Sequence, residues 1–189
     1  MRTSTSLLSA ATLFLVASSC AKHASMQQSP EETRDFVQFT NTDSNERTGD
    51  WSPDGKWIAF ESQRSGNADI WIQPVAGGAA IQITDDEAAD RAVRWSPKGD
   101  RLLFVSERSG GRAIWRVDPF DSSRSPVQVT NERDGFAGSL VNWSHDGSEI
   151  VFSSDRTGNW DLWAIPAAGG RARQITDRPD NDWDPDWSA

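Results

Sequence analysis

A five-residue motif returns along this chain at near-fixed spacing, and it narrows the possible folds more than any other feature. W-S-P-D-G begins at Trp51, W-S-P-K-G at Trp95 and W-S-H-D-G at Trp143, and a further Trp-Ser pair stands at Trp187. These tryptophans are 44, 48 and 44 residues apart. Each complete unit continues alike. Ile58–Ser62 (I-A-F-E-S) recurs as Leu102–Ser106 and Ile150–Ser154, followed by R-[ST]-G at Arg64, Arg108 and Arg156. An apolar-Trp pair comes next, at Trp71, Trp115 and Trp163, and Q-[IV]-T closes each unit at Gln82, Gln128 and Gln174. A repeat of this length marks an array of supersecondary units, each of which buries its apolar face only against a neighbour.

One unit has room for four short strands. Pro53-Asp54-Gly55 is a turn, because proline presets the first turn residue and glycine accepts positive φ. It joins a strand ending near Trp51 to one over 56–62. In that second strand Ile58 and Phe60 alternate with Trp57 and Ala59, so both faces are apolar, as in a strand held between two sheets. Turns at Arg64–Asn67 and Ala76–Gly78 lead to strands around Ile70–Gln73 and Ile81–Thr84. Four strands per unit of this size predict an all-β protein, a β-propeller of four-stranded antiparallel blades. Three blades are complete. Val37–Thr40 matches a fourth strand and the chain closes as a first strand reaches Trp187. The expectation is therefore a fragment of a ring of six or more blades, with a homodimer of half-rings as the competing arrangement.

Composition narrows the function classes. Ten Trp and eight Phe oppose disorder. The 28 acidic residues against 19 basic ones, net charge −9, argue against a nucleic-acid partner. A single cysteine excludes intramolecular disulfides and Cys-rich metal sites. That cysteine follows Arg2, an apolar run over Leu7–Val16 and the small residues Ala17, Ser18 and Ser19. The run is too short to span a bilayer and reads as an export signal. Residues 1–19 resemble a bacterial lipoprotein signal, and the resemblance implies lipid attachment at Cys20, hence a membrane anchor in the periplasm or outer membrane. Residues 20–35 are polar and aperiodic, a flexible tether in which His23 is solvated. The folded part is expected over 36–189.

The repeat, from W-S-P-D-G through F-x-S, R-[ST]-G and I-W to Q-I-T, resembles that of the TolB-like β-propellers over about Phe36 to Ala189. This implies a blade architecture and an envelope protein or peptide partner, such as a peptidoglycan-associated lipoprotein. It also admits a second reading, the propeller of a prolyl-oligopeptidase-like peptidase whose catalytic domain lies beyond Ala189. A third is carbohydrate binding through exposed Trp.

Within the chain there is no G-x-S-x-G elbow, and only His23 and His145 could act as a triad base. The sequence thus points to a non-catalytic scaffold without cofactor. Seven of the ten Trp hold repeat positions and are expected in packing. Trp57, Trp160 and Trp183 do not, and Trp160, in a turn, is expected to be the most accessible. Asp180, Asp182, Asp184 and Asp186 alternate; on an extended segment their carboxylates would share one face. Lacking the glycine and terminal Glu of a calcium loop, they read as a solvated acidic surface rather than a metal site. Trp160, Asp180, Asp182 and Trp183 are therefore the candidate binding surface, within top-face loops at 85–91, 131–139 and 177–186. Arg64/Asp69 and Arg156/Asp161 recur at one spacing and are expected to brace the hairpin between the second and third strands. His145, in the place of Pro53 and Pro97, is expected to be a turn substitution.

Overall fold

The computed structural model describes residues 38–40, 42–131 and 137–188. The leader at 1–19, Cys20 and the tether at 20–35 lie outside them. Among them twelve strands form three four-stranded antiparallel sheets, each a meander in chain order. The first holds β1 (Glu46–Trp51), β2 (Trp57–Ser62), β3 (Asp69–Pro74) and β4 (Ile81–Gln82). The second holds β5 (Asp90–Trp95), β6 (Leu102–Ser106), β7 (Ala113–Val117) and β8 (Val127–Gln128). The third holds β9 (Ala137–Trp143), β10 (Glu149–Ser154), β11 (Asp161–Pro166) and β12 (Arg173–Gln174).

The motif residues explain the hairpins. Ser52 Oγ donates to Asp54 Oδ1 at 2.7 Å and accepts the Trp57 amide at 2.9 Å. Ser144 does the same with Asp146 and Glu149, while in the second blade Lys98 replaces the Asp and Ser96 turns to Asp100. Gly147 closes its turn at φ +73°, and a Cβ there would lie 3.3 Å from Pro97 Cγ. Successive turns thus stack, the proline of one blade on the glycine of the next. At the other motif, Thr84 Oγ1 accepts the Ile70 amide at 2.9 Å, and Thr130 and Thr176 serve Ile114 and Leu162 likewise. The Thr hydroxyl takes the amide where the short outer strand stops.

The cores lie between sheets. Ile70, Ile72 and Ile83 of the first blade pack with Val93, Leu102 and Phe104 of the second. Leu103, Val105, Ile114 and Val129 of the second pack with Val141, Ile150, Phe152 and Trp163 of the third. This is why the middle strands are apolar on both faces. Polar bonds cross the same junctions: Glu61 on β2 accepts the Ala92 amide and Asp50 on β1 accepts the Trp95 amide, both at 2.6 Å.

One expectation changes. Residues 38–40 form no strand; Phe39 packs edge-on against Trp51 at 5.2 Å and its carbonyl accepts from Gln73. A fourth strand needs the third strand of its own blade, as Ile81–Gln82 need β3, and no such strand precedes β1 among the described residues. Trp51 is correspondingly half exposed, whereas Trp95, covered on both sides, is buried. The extra length of the second unit lies partly in the β7–β8 connection. From there Phe120 packs on Trp57 (5.5 Å) and Trp95 (6.1 Å), accounting for the first of the three irregular tryptophans.

Candidate binding surface

The turns between second and third strands share one end of the blades with the connections leading to the next blade. Asn67 Nδ2 reaches the carbonyls of Asp86, Glu87 and Ala88, tying the connection of 83–89 to the turn. Asn159 repeats this with the carbonyls of Arg178 (2.8 Å) and Asp180 (3.2 Å). Two further bonds fix the third loop: the Trp160 amide donates to Asn181 Oδ1, and the Asp182 amide to the Trp160 carbonyl. The result brings Trp160 and Trp183 together, with ring centroids 4.4 Å apart. Trp183 is the accessible member, 51 % exposed, while Trp160 is half-buried beneath it. The sequence assigned the greater exposure to Trp160; the pairing with Trp183 depends on the loop folding back and is not visible in a linear reading.

The four alternating carboxylates do not share a face. Asp182 is mostly buried and pairs with Arg178 at 2.8 Å. Asp186 accepts from Asn142 Nδ2 at 3.1 Å, on the inner strand of the third blade. Asp184 sits at φ +57°, which breaks the extended alternation, and with Asp180 it remains exposed. Among the described residues no group of three His, Cys, Asp or Glu side chains could hold a metal ion.

The Arg/Asp braces are also different from those expected. Arg64 pairs with Glu46 on β1, not with Asp69, and lies over the rings of Phe60 (5.3 Å) and Trp71 (4.7 Å). Arg108 pairs with Asp90 Oδ2 at 2.6 Å between Phe104 and Trp115. Arg156 lies over Phe152 and Trp163 and donates to Ser154. Thus F-x-S-x-R and the third-strand Trp form one cage for a guanidinium, and in the first two blades its carboxylate comes from the start of the first strand. Asp69 instead accepts from Ser65, Gln82 and Thr84, and Asp161 from Thr157, Gln174 and Thr176. Burial pushes the Asp69 carboxyl above its ordinary range, against the lowering by the Ser65 hydroxyl. The signal for this was present: Ala113 replaces the Asp in the second unit while its Arg is retained, so the two are not coupled.

A feature missed in sequence is a groove of about 570 Å³ along the inner strands, lined by Asp50, Arg94, Asn142 and His145 with Trp51, Trp95 and Trp143. Asp50, Arg94 and Asn142 each precede the motif Trp, a position the repeat leaves variable. His145 Nε2 meets the Ser188 carbonyl at 3.1 Å, so its ring links the third turn to the segment after Trp187. The groove gathers polar groups without a nucleophile–base pair, and Asp50 and Asn142 are already engaged across blades.

Meandering four-stranded sheets, packed face to face with their first strands side by side, define a β-propeller. The chain belongs to the TolB beta propeller domain family, whose model matches residues 32–139. Among solved structures it is similar to a protein assigned as TolB from Agrobacterium tumefaciens (27 % identity, TM-score 0.61). That match covers 70 % of this chain and 47 % of the other. TolB from Acinetobacter baumannii is similar at 25 % identity and TM-score 0.65, over 74 % of this chain and 34 % of that one. The chain therefore spans half or less of these structures. A puromycin-hydrolyzing peptidase from Mycobacterium tuberculosis shares the fold, at 13 % identity and TM-score 0.56 over 69 % of this chain and 20 % of its own. No curated protein matches the sequence.

Proposed function

We propose that this protein is an exported, non-catalytic scaffold of the cell envelope, held to the membrane by lipid on Cys20, that binds a protein or peptide partner. Trp183 carries the reading. It is a half-exposed indole braced from beneath by Trp160 and set between the exposed carboxylates of Asp180 and Asp184. An indole supplies large contact area at low entropic cost, and such residues dominate binding energy at interfaces. Flanking carboxylates favour a basic partner and speed its approach. Family membership and the likeness to two TolB structures support a partner-binding role. The leader and the lone cysteine support export and anchoring.

The test is a titration of the protein with a peptide of alternating Arg and Phe, read by tryptophan fluorescence. Saturable binding that weakens with salt and drops at least tenfold in Trp183→Ala is the expected result. Binding unaffected by Trp183→Ala, or absent, refutes the surface. Loss of an oligosaccharide ligand in the same variant would favour the carbohydrate reading instead. Incorporation of labelled palmitate, abolished by Cys20→Ala, tests the anchor separately.

A further inference from the structure

We infer that a second binding site, for a small aromatic carboxylate, lies between the first two blades at the end opposite Trp183. The first-to-second-strand turns and the third-to-fourth-strand connections meet at that end, because each sheet is an antiparallel meander. There a cleft of about 470 Å³ is lined by Trp57, Phe120, Lys56 and Lys98, with Asp54 and Gly99. Its back is closed where the turns stack, a Cβ on Gly99 falling 3.4 Å from Pro53 Cδ. All of its lining falls within 52–120. A cleft of this size, with aromatic walls and a few polar groups, is the usual form of a small-molecule site.

The residues that make it are those in which the repeats differ. Trp57 stands where the second and third units carry Arg101 and Glu149. Lys98 stands where the first and third motifs carry Asp54 and Asp146. Phe120 comes from a lengthened connection: Gln128 is thirteen positions after Trp115, whereas Gln82 and Gln174 are eleven after Trp71 and Trp163. The third blade forms with Glu149, Asp146 and the shorter connection in these places, so a blade does not call for them. Three departures from the repeat, far apart in sequence, meet in one cleft.

Their chemistry defines the ligand. Trp57 and Phe120 meet edge-on, and Phe120 remains 54 % exposed, an open aromatic wall that a planar ring can cover. Asp54 and Lys56 neutralise each other: Asp54 accepts Ser52 Oγ and the Lys56 amide, and its carboxylate lies 3.3 Å from Lys56 Nζ. Lys98 pairs with no carboxylate among the described residues, and Ser96 closes its turn on Asp100 instead, at 2.8 Å. The Lys98 ammonium is therefore the net charge of the cleft, in a chain whose overall charge is −9. A flat apolar body on Phe120 and Trp57, with an anionic group at Lys98, answers both walls.

The probes are naphthylacetate and its uncharged amide, naphthylacetamide, titrated into the full chain and followed by NMR shifts of backbone amides and indole N–H groups. The expected result is saturable binding with shifts centred on Trp57, Lys98, Gly99 and Phe120. The amide is expected to bind about fivefold more weakly, the worth of one solvent-exposed charge pair. Lys98→Asp places in this turn the residue that the other two motifs carry, so the fold is preserved. By turning attraction into repulsion it is expected to weaken the acid about tenfold while leaving the amide unchanged. Phe120→Ala, at an exposed position, is expected to weaken both probes. Equal affinities for acid and amide, undiminished binding of the acid to Lys98→Asp, shifts confined to other surfaces, or no binding overturns the inference.

Discussion

Replacing Asp90 by Asn tests whether the arginine cages hold the blades together. The Asp90 side chain is fully buried and Arg108 is 12 % exposed, with Nη2 2.6 Å from Oδ2. Two unit charges about 4 Å apart attract by about 4 kcal/mol at an effective dielectric near 20. Much of that offsets desolvation while both charges are present. Once Asp90 is neutral, Arg108 remains buried, and among the described residues its remaining carboxylate neighbour is Asp86, 3.9 Å away and partly exposed. Breaking a buried pair from one side costs about 3–5 kcal/mol, whereas removing both charges costs less. The rings of Phe104 and Trp115 continue to hold the guanidinium, a contribution of about 1 kcal/mol that the substitution leaves intact. Asp90→Asn is therefore expected to destabilise by about 3 kcal/mol, and Asp90→Asn with Arg108→Met by less than the single change. With a urea m-value of about 2 kcal/mol per molar, the single variant's midpoint falls by about 1.5 M, read by tryptophan fluorescence. A shift under about 0.3 M, or two single-variant effects that simply add, would refute the reasoning.

Other perturbations separate the turn chemistry from the cages. Gly147→Ala combines φ +73° with a Cβ 3.3 Å from Pro97 Cγ, so it is expected to cost about 1–2 kcal/mol or more in thermal unfolding. Gly55→Ala, at φ +69° but with open space around it, isolates the backbone part of that cost. Hydrogen bonds from Ser144 and Ser148 lower the Asp146 carboxyl to about 2. Because its folded value lies below the ordinary 3.8, its contribution to stability is present above that value and is lost as pH falls towards 2. Asp146→Asn should accordingly lower stability at neutral pH and flatten its decline between pH 4 and pH 2, measured by urea unfolding across pH.

Much of the fold is legible in the sequence because it is local. Ser52, Asp54 and Gly55 make their turn among themselves, and Thr84 caps a strand fourteen residues away within the same unit. The candidate binding surface is less legible. Asp180, Asp182, Trp160 and Trp183 were all identifiable as candidates, but their roles diverge: Asp182 holds an arginine, Asp180 faces solvent, and Trp160 supports Trp183. Spacing along an extended chain assigned the carboxylates to one face, and the positive φ at Asp184 undoes that assignment.

The repeat, the four-strand unit, the turns and the apolar double faces of the middle strands are all readable from the amino acids, since each follows from periodicity or from contacts within a few residues. Which carboxylate meets which arginine, which tryptophan faces water and where the inner groove lies emerge from the folded chain alone. Those depend on contacts between elements distant along the chain, and their partners carry no fixed spacing. Glu46 reaches Arg64 across the sheet, Asp50 reaches the Trp95 amide across a blade junction, and Trp183 stands out because its loop folds back on Trp160.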